Sequence, residues 1–300
     1  MRILVTGSSG LIGSALVSFL EAAGHGVTRV VRSAPRQGEV RWDPAAATME
    51  TDGLDGHAAA VHLAGETIAG RWTPAKKARI VTSRVQGTRL LSTTLAGLRQ
   101  PPPVLVCASA IGFYGDRGGE VLTEESAPGS GFLPQVVRSW EAAADPARAA
   151  GIRVVHLRFG VVLSGRGGAL ARMLLPFRLG LGGPVGSGRQ FMSWVALDDA
   201  VRSILHSIEC EGLVGPVNVV SPNSVTNREF ARTLGRVLRR PAFCRVPAVV
   251  IRLVLGEMGR ELLLSSVRAV PAKLRASGFE CGHPDLEGAI RHVLRHARGV

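Results

Sequence analysis

The feature that most constrains this chain is an octet near its start, Thr6-Gly7-Ser8-Ser9-Gly10-Leu11-Ile12-Gly13, set between the β-rich run Arg2–Thr6 and a helical stretch from Leu11. Glycines at this spacing serve three ends: a tight turn, the approach of backbone N–H groups to a pyrophosphate, and close packing of the helix on the strand. The helix N-terminus adds free N–H groups and a partial positive charge. The pattern alone is weak evidence. Its context, with a strand before, a helix after and a second strand at Val27–Val31, makes it a dinucleotide-binding turn rather than a structural one.

The first half continues as strands alternating with helices, the pattern of a parallel sheet covered by helices. Further strands are expected at Glu39–Trp42, Ala59–Leu63, Val104–Ala108 and Val154–Leu157, several nearly all apolar, as strands buried on both faces should be. Helices are expected over Leu11–Ala23, Pro74–Leu98 and Leu133–Ala149, the second with Thr73 as N-cap and Pro74 at its first position. After about residue 160, Gly-rich turns separate shorter elements, among them a strand at Val217–Val220 and a helix opened by the capping box Thr226-Asn227-Arg228-Glu229. The expected fold is α/β, a Rossmann-type doubly wound parallel sheet with a smaller C-terminal, substrate-side domain. Residues 1–163 would form the nucleotide-binding domain, with sheet contributions from about 190–222, and residues 164–300 the smaller region.

Composition narrows the function classes. With 46% hydrophobic and 20% charged residues in 300, the chain can build a core, so global disorder is excluded. Four cysteines, at 107, 210, 244 and 281, lie too far apart for a disulfide framework or a cysteine zinc site, so buried free thiols and no metal are expected. Met1-Arg2 runs straight into Ile3-Leu4-Val5 without the features of a signal peptide, and the apolar run Val249–Leu255 is short and interrupted by Arg252. A cytoplasmic location without membrane attachment is the expectation. The net charge is +13, and it is uneven: residues 1–150 hold 15 cations against 13 anions, residues 151–300 hold 21 against 10. Nucleic-acid binders cluster cations among aromatics, and aromatics make up 5% here, so no nucleic-acid partner is expected. The excess reads as solvated surface or as attraction for an anionic small molecule.

The end of the second strand selects between cofactors. An acid there would bond the ribose 2′-OH of NAD, whereas an arginine accommodates the 2′-phosphate of NADP. This chain has Val30-Val31-Arg32-Ser33, with Arg36 behind and no acid before Glu39. Arg32 therefore points to NADP(H).

The glycine spacing is also the short-chain dehydrogenase/reductase form, and other segments extend the likeness. They are His62-Leu63-Ala64-Gly65-Glu66, Trp72-Thr73-Pro74 with Ser83-Arg84 and Gly87-Thr88, Ser109-Ala110-Ile111-Gly112-Phe113-Tyr114-Gly115, Trp140-Glu141, and Arg158-Phe159-Gly160-Val161-Val162-Leu163. Met173–Phe177, Gly186–Val195 and Asp198 carry it into the second half. Together these resemble the atypical, extended short-chain dehydrogenases of the epimerase-like family that end in a small domain of unknown function, over essentially the whole chain. The resemblance implies that Leu63, Ala64 and Gly65 line the adenosine side of the cleft, that Arg84 lies near the cofactor and that Val162 falls beside the nicotinamide. Arg84 could equally be a surface helix charge, and Leu63 and Val162 plain core. The family often pairs through two long helices, which implies a homodimer.

One part of the pattern is broken. The superfamily's usual catalyst is a Tyr four residues before a Lys, whose ammonium lowers the phenol pKa from ~10. The only tyrosine here is Tyr114, followed four residues later by Gly118, and no lysine falls between residues 78 and 272. Counting back from Glu141, the two positions hold about Leu133 and Val137. Ser109 is the surviving triad-like serine, and Tyr114 the candidate replacement acid/base. His62 reads as a packed strand-end residue, and Glu124 and Glu125 as solvated. Arg189, Ser193 and Trp194, just after the Gly186–Gly188 turn, are candidates for the mouth of a substrate pocket. Two functions stay open: an NADP(H)-dependent oxidoreductase or epimerase acting on a small molecule, and a regulatory protein that keeps the cofactor pocket without turnover.

Overall fold

The computed structural model describes residues 1–296. Its strands are β1 (Arg2–Thr6), β2 (Gly26–Val31), β3 (Glu39–Asp43), β4 (Thr48–Met49), β5 (Ala59–His62), β6 (Val104–Ala110), β7 (Val121–Leu122), β8 (Arg153–Phe159), β9 (Val161–Leu163), β10 (Phe191–Met192), β11 (Trp194–Ala196), β12 (Gly215–Val219), β13 (Val225–Thr226) and β14 (Arg268–Ala269). The helices are α1 (Leu11–Ala22), α2 (Pro74–Ala96), α3 (Phe132–Ala142), α4 (Asp145–Ala149), α5 (Gly168–Arg178), α6 (Leu197–Glu209), α7 (Asn227–Leu238), α8 (Ala248–Gly259), α9 (Ala272–Ala276) and α10 (Leu286–His296).

Eight strands form one sheet in the order β12-β8-β6-β5-β1-β2-β3-β4, parallel throughout except for the short β3–β4 pair. Because side chains alternate across a strand, each strand feeds two cores. Ile3 and Val5 of β1 face one side with Val61, Val106, Leu157 and Val217, under Leu16 and Leu20 of α1 and Ile204 and Ile208 of α6. Leu4 faces the other with Val30, Ala60 and Leu105, under Leu91 and Leu95 of α2 and Ala147 of α4. The chain runs outward from β1 through β2, then returns to build the other half from β5, which leaves a crevice between the C-terminal ends of β1 and β5. Crevices at such reversals are where open α/β sheets bind ligands.

The long helix expected over Leu133–Ala149 is two helices. Pro146 has no N–H to continue the ladder, and its ring would meet the carbonyl four residues back, at Ala142; α3 ends at Ala142 with Ala143 as its cap, and α4 starts at Asp145 with Pro146 in its first turn. The other caps match their residues: the Thr73 side chain accepts from the Lys76 N–H at 3.2 Å, and Thr226 and Glu229 complete a capping box.

After β9 the chain builds a second cluster, in which Leu170 and Phe177 of α5, Trp194 of β11, Phe230 of α7 and Ile290 of α10 pack together. It also returns to the sheet, where α6 covers one face and β12 supplies the edge strand. No described helix is long and apolar enough to cross a membrane.

Arg153 ties the sheet to this returning helix. Its guanidinium donates to the carbonyls of Ser207 (3.0 Å) and Ile208 (2.8 Å), which the helix end leaves without intrahelical partners, and to Leu213 O (2.8 Å) in the turn after it. Replacing it with alanine should cost about 2 kcal/mol of folding stability, since hydrogen bonds to charged groups contribute about 1.5–3 kcal/mol. Urea unfolding of Arg153→Ala checks this; an unchanged midpoint would mean that water serves the carbonyls equally well.

Candidate functional site

The glycine turn sits at the crevice. Gly7 has φ +68° and touches the β5 exit so closely that a Cβ there would lie 2.7 Å from the Ala64 nitrogen. A Cβ on Gly13 would lie 2.1 Å from the Gly7 carbonyl oxygen. Both positions therefore demand glycine, and together they bring the start of α1 against β1. Gly10 closes the turn, its N–H donating to Gly7 O at 3.0 Å, and no side chain caps α1. The first N–H groups of that helix are left to face an anion. Leu11 reaches across to the turn that opens α5: a Cβ on Gly168 would sit 3.1 Å from Leu11 Cδ2. The second half of the chain thus closes over the cradle at this point.

Beside the cradle, the backbone from His62 to Glu66 is held from two sides. The Leu63 N–H donates to Thr6, and Arg84 of α2 donates to Glu66 O at 2.9 Å and Ile80 O at 3.3 Å while stacking over Trp140. Burial lowers the Arg84 pKa to about 10, with Glu66 acting in the opposite sense. Arg84 is thus a clamp on the loop rather than a surface charge. Leu63, Ala64 and Val162 are half-buried, and Gly65 is exposed. Arg32 lies exposed at the end of β2 and has no hydrogen-bond or ion-pair partner among the described residues. His62 is fully buried, shares a 2.7 Å hydrogen bond with Thr6 Oγ1, and is held neutral by burial, which lowers its pKa to about 4.

The structure brings Ser109 and Tyr114 into one buried network, which the sequence did not reveal. Ser109 Oγ donates to Glu141 Oε1 at 2.6 Å; Glu141 forms a two-point pair with Arg158 at 2.8 Å each; Arg158 donates to the Tyr114 hydroxyl at 3.2 Å; and that hydroxyl donates to Asn218 Oδ1 at 2.8 Å. The Arg158 guanidinium also lies 3.5 Å from the centre of the Phe113 ring. Burial favours the neutral Glu141, but Arg158 outweighs it and the carboxyl pKa falls below its ordinary value. For Tyr114, burial is the largest influence and raises the phenol pKa, with Arg158 only partly opposing it.

Several expectations therefore change. Tyr114 has no exposed surface, so it does not stand open to exchange protons with a substrate; the short helical turn Ile111–Tyr114 rolls it inward against Leu122, Val220 and Val267. Ser109 is 3% exposed and has committed its only proton to Glu141. Glu124 is buried, not solvated, with Oε1 accepting from the Asn218 and Lys273 N–H groups. Ser193 and Trp194 do not line a pocket mouth. The Ser193 hydroxyl donates to Val267 O and accepts from the Ala269 N–H, each at 2.9 Å, while the fully buried Trp194 indole donates to Asn223 O. Arg189 alone of the three is exposed. Leu133 and Val137 are buried, with Leu133 packed against Gly112. Glu141, Arg158 and Asn218 were missed as partners because they are distant in sequence; the only signal was a charge at a buried strand position in Arg158.

Two variants test the network. Tyr114→Phe should lose about 1–3 kcal/mol of stability, because Asn218 Oδ1 is left without its donor. Glu141→Gln should lose about 3 kcal/mol, the cost of breaking a buried pair from one side. Because the folded Glu141 carboxyl titrates below its ordinary value near 4.5, its stabilisation is present above that pH and lost as pH falls through the lowered value. Denaturation from pH 7 downward should show this acid-side loss in the wild type, with a shallower slope in Glu141→Gln.

The chain's relatives fit this geometry. Residues 3–220 match the NAD dependent epimerase/dehydratase family, and residues 246–293 match a domain of unknown function, DUF1731. An epimerase family protein of Mycobacterium tuberculosis, MT2273, is 42% identical over 293 residues, 97% of each chain. The crystal structure of human epimerase family protein SDR39U1 with NADPH superposes with a TM-score of 0.90 at 38% identity, covering 100% of both chains. A nucleoside-diphosphate sugar epimerase from Corynebacterium glutamicum has TM-score 0.81 and 37% identity, over 99% of this chain and 58% of that one. From its glycine turn to its C-terminal unit, the chain belongs to the NAD dependent epimerase/dehydratase family.

Proposed function

We propose that this protein binds NADP(H) in the crevice between β1 and β5 and uses it in oxidoreductase or epimerase chemistry on a small molecule. The observation that carries the reading is the pairing of an uncapped α1 N-terminus behind the Gly7–Gly13 turn with an unpartnered Arg32 at the end of β2. The first suits a pyrophosphate, the second a 2′-phosphate. The presence of NADPH in the human relative's crystal structure supports the same choice. Thr6, Gly10, Leu11, Ile12 and Gly13 would hold the pyrophosphate, Leu63 to Gly65 would flank the adenosine, and Val162 would border the nicotinamide, with Arg84 fixing the loop beneath. The bound nicotinamide would supply hydride exchange with a substrate carbon.

In this reading proton transfer does not pass through a Tyr–Lys pair. Ser109 can accept a hydrogen bond from a substrate hydroxyl, with Glu141 behind it as the proton's destination. Arg158 makes that carboxylate a weak base, so turnover would be slow. A second reading, cofactor binding without turnover, is favoured by the burial of Tyr114 and by the apolar Leu133 and Val137.

NADPH should bind about ten- to a hundredfold more tightly than NADH, the equivalent of a guanidinium–phosphate contact of about 1.5–3 kcal/mol. In Arg32→Ala that preference should vanish while NADH affinity stays the same. Fluorescence titration of both cofactors into both proteins measures this, and a preference that survives the substitution removes Arg32 from the site. Following the reduced-nicotinamide absorbance across carbonyl compounds and nucleotide sugars separates the two readings. Oxidation or reduction of any of them supports the enzyme, whereas tight NADPH binding with none supports the regulatory protein.

A further inference from the structure

We propose that Asp198, His283 and His292 form a site for a borderline divalent metal ion such as Zn2+, one that pins the C-terminal helix α10 onto the main body. Their donor atoms, one carboxylate oxygen and two imidazole nitrogens, all lie within 4.8 Å of one another. They come from three places in the fold. Asp198 opens α6, which packs on the sheet; His283 lies on the turn before α10; His292 stands on α10, in the second cluster. Separations of 85 and 9 residues hide the set from any reading of local spacing, which found no metal ligands in this chain.

The site is held in shape before any ion arrives. Asp199, the buried neighbour of Asp198, accepts the N–H groups of Gly282 at 2.8 Å and His283 at 2.9 Å, fixing the backbone that carries His283. Ser221 and Asn223 grip the same turn from the other side through Pro284 O, each at 3.1 Å. On that fixed turn, the His283 imidazole makes no hydrogen bond among the described residues. It stacks on the His292 ring with centroids 4.0 Å apart, and His292 Nε2 is directed at Asp198 Oδ2. A cation would draw one in-plane nitrogen from each imidazole to the carboxylate as the two rings turn out of their stack.

The donor set selects the ion. Cys281 lies nearby, but its thiol donates to Asp199 Oδ2 at 3.2 Å, and it is not among the three clustered donors. Two imidazoles and a carboxylate suit Zn2+ or Co2+ rather than the all-oxygen sets of Mg2+ or Ca2+. Zinc bonds of ~2.0–2.2 Å put tetrahedral donors ~3.3 Å apart, so the exposed Asp198 carboxylate would turn out of its direct pairing with His292 Nε2 to let the ion in between them. Three protein ligands leave a fourth position to water. Since the ligands belong to α6 on one side and α10 on the other, binding would lock the two together.

The test uses the untagged full-length protein, stripped with EDTA, and Zn2+ or Co2+ alone as probe. Calorimetry should show one saturable ion per chain, Co2+ should give the visible absorption of a tetrahedral complex, and Zn2+ should raise the thermal midpoint. Asp198→Asn, which keeps the shape of an exposed side chain, and His292→Ala should each weaken binding about tenfold or more and remove the thermal shift. His25→Ala, altering a half-buried histidine elsewhere, should change neither, and NADPH affinity should be unchanged in all three. Uptake that is not saturable at one ion, or is as tight in Asp198→Asn and His292→Ala as in the wild type, overturns the proposal and leaves a surface ion pair with a stacked histidine.

Discussion

The buried pair between Glu141 and Arg158 is the interaction on which the rest of the sheet's C-terminal edge depends. Two charges removed from water are tolerated only when every donor and lone pair finds a partner. Here the guanidinium meets the carboxylate at two points, the Tyr114 hydroxyl at a third, and the Phe113 face from above. The carboxylate takes the Ser109 proton as well. In this way one ion pair joins α3, β6, the turn Ile111–Tyr114 and β8, and through Asn218 reaches β12 and the Val270 carbonyl. The pair spends its polar atoms on structure, next to a helix whose Leu133 and Val137 are buried and apolar.

The pair leaves the two sides of the crevice unlike each other. On the β1–β5 side, groups are left open: an uncapped helix end, an exposed Gly65 and an unpartnered Arg32. On the β6–β8 side they are consumed: a committed serine, a sealed phenol, and Leu133 against Gly112. The first side has groups left to offer a ligand, whereas the polar groups of the second are already paired within the protein.

The C-terminal unit completes the crevice rather than standing apart from it. Leu11 meets the turn into α5, β11 pairs with β9, and α6 covers the same sheet face as α1. Asp198 and Asp199, adjacent on α6, work in opposite directions. Asp199 turns inward and fixes the turn Cys281–His283, while Asp198 faces His292 on α10. The junction between the two halves thus combines the apolar face of α6 with polar contacts at its N-terminal end.

The sequence by itself determined the elements whose causes are local. The Gly7–Gly13 turn, the strands alternating between two cores, and the Thr73 and Thr226 caps follow from the chemistry of neighbouring residues. Pro146 leaves its effect open in the sequence, because a proline can either break a helix or lie within the first turn of the next one. Only the tertiary structure decided what each polar side chain pairs with. Ser109 and Glu141 are 32 residues apart, Tyr114 and Asn218 are 104, and Asp198 and His292 are 94. A hydroxyl or carboxylate looks the same in sequence whether solvent or a buried partner satisfies it. The partner arrives through the order of strands in the sheet, and that order is set by packing over the whole chain.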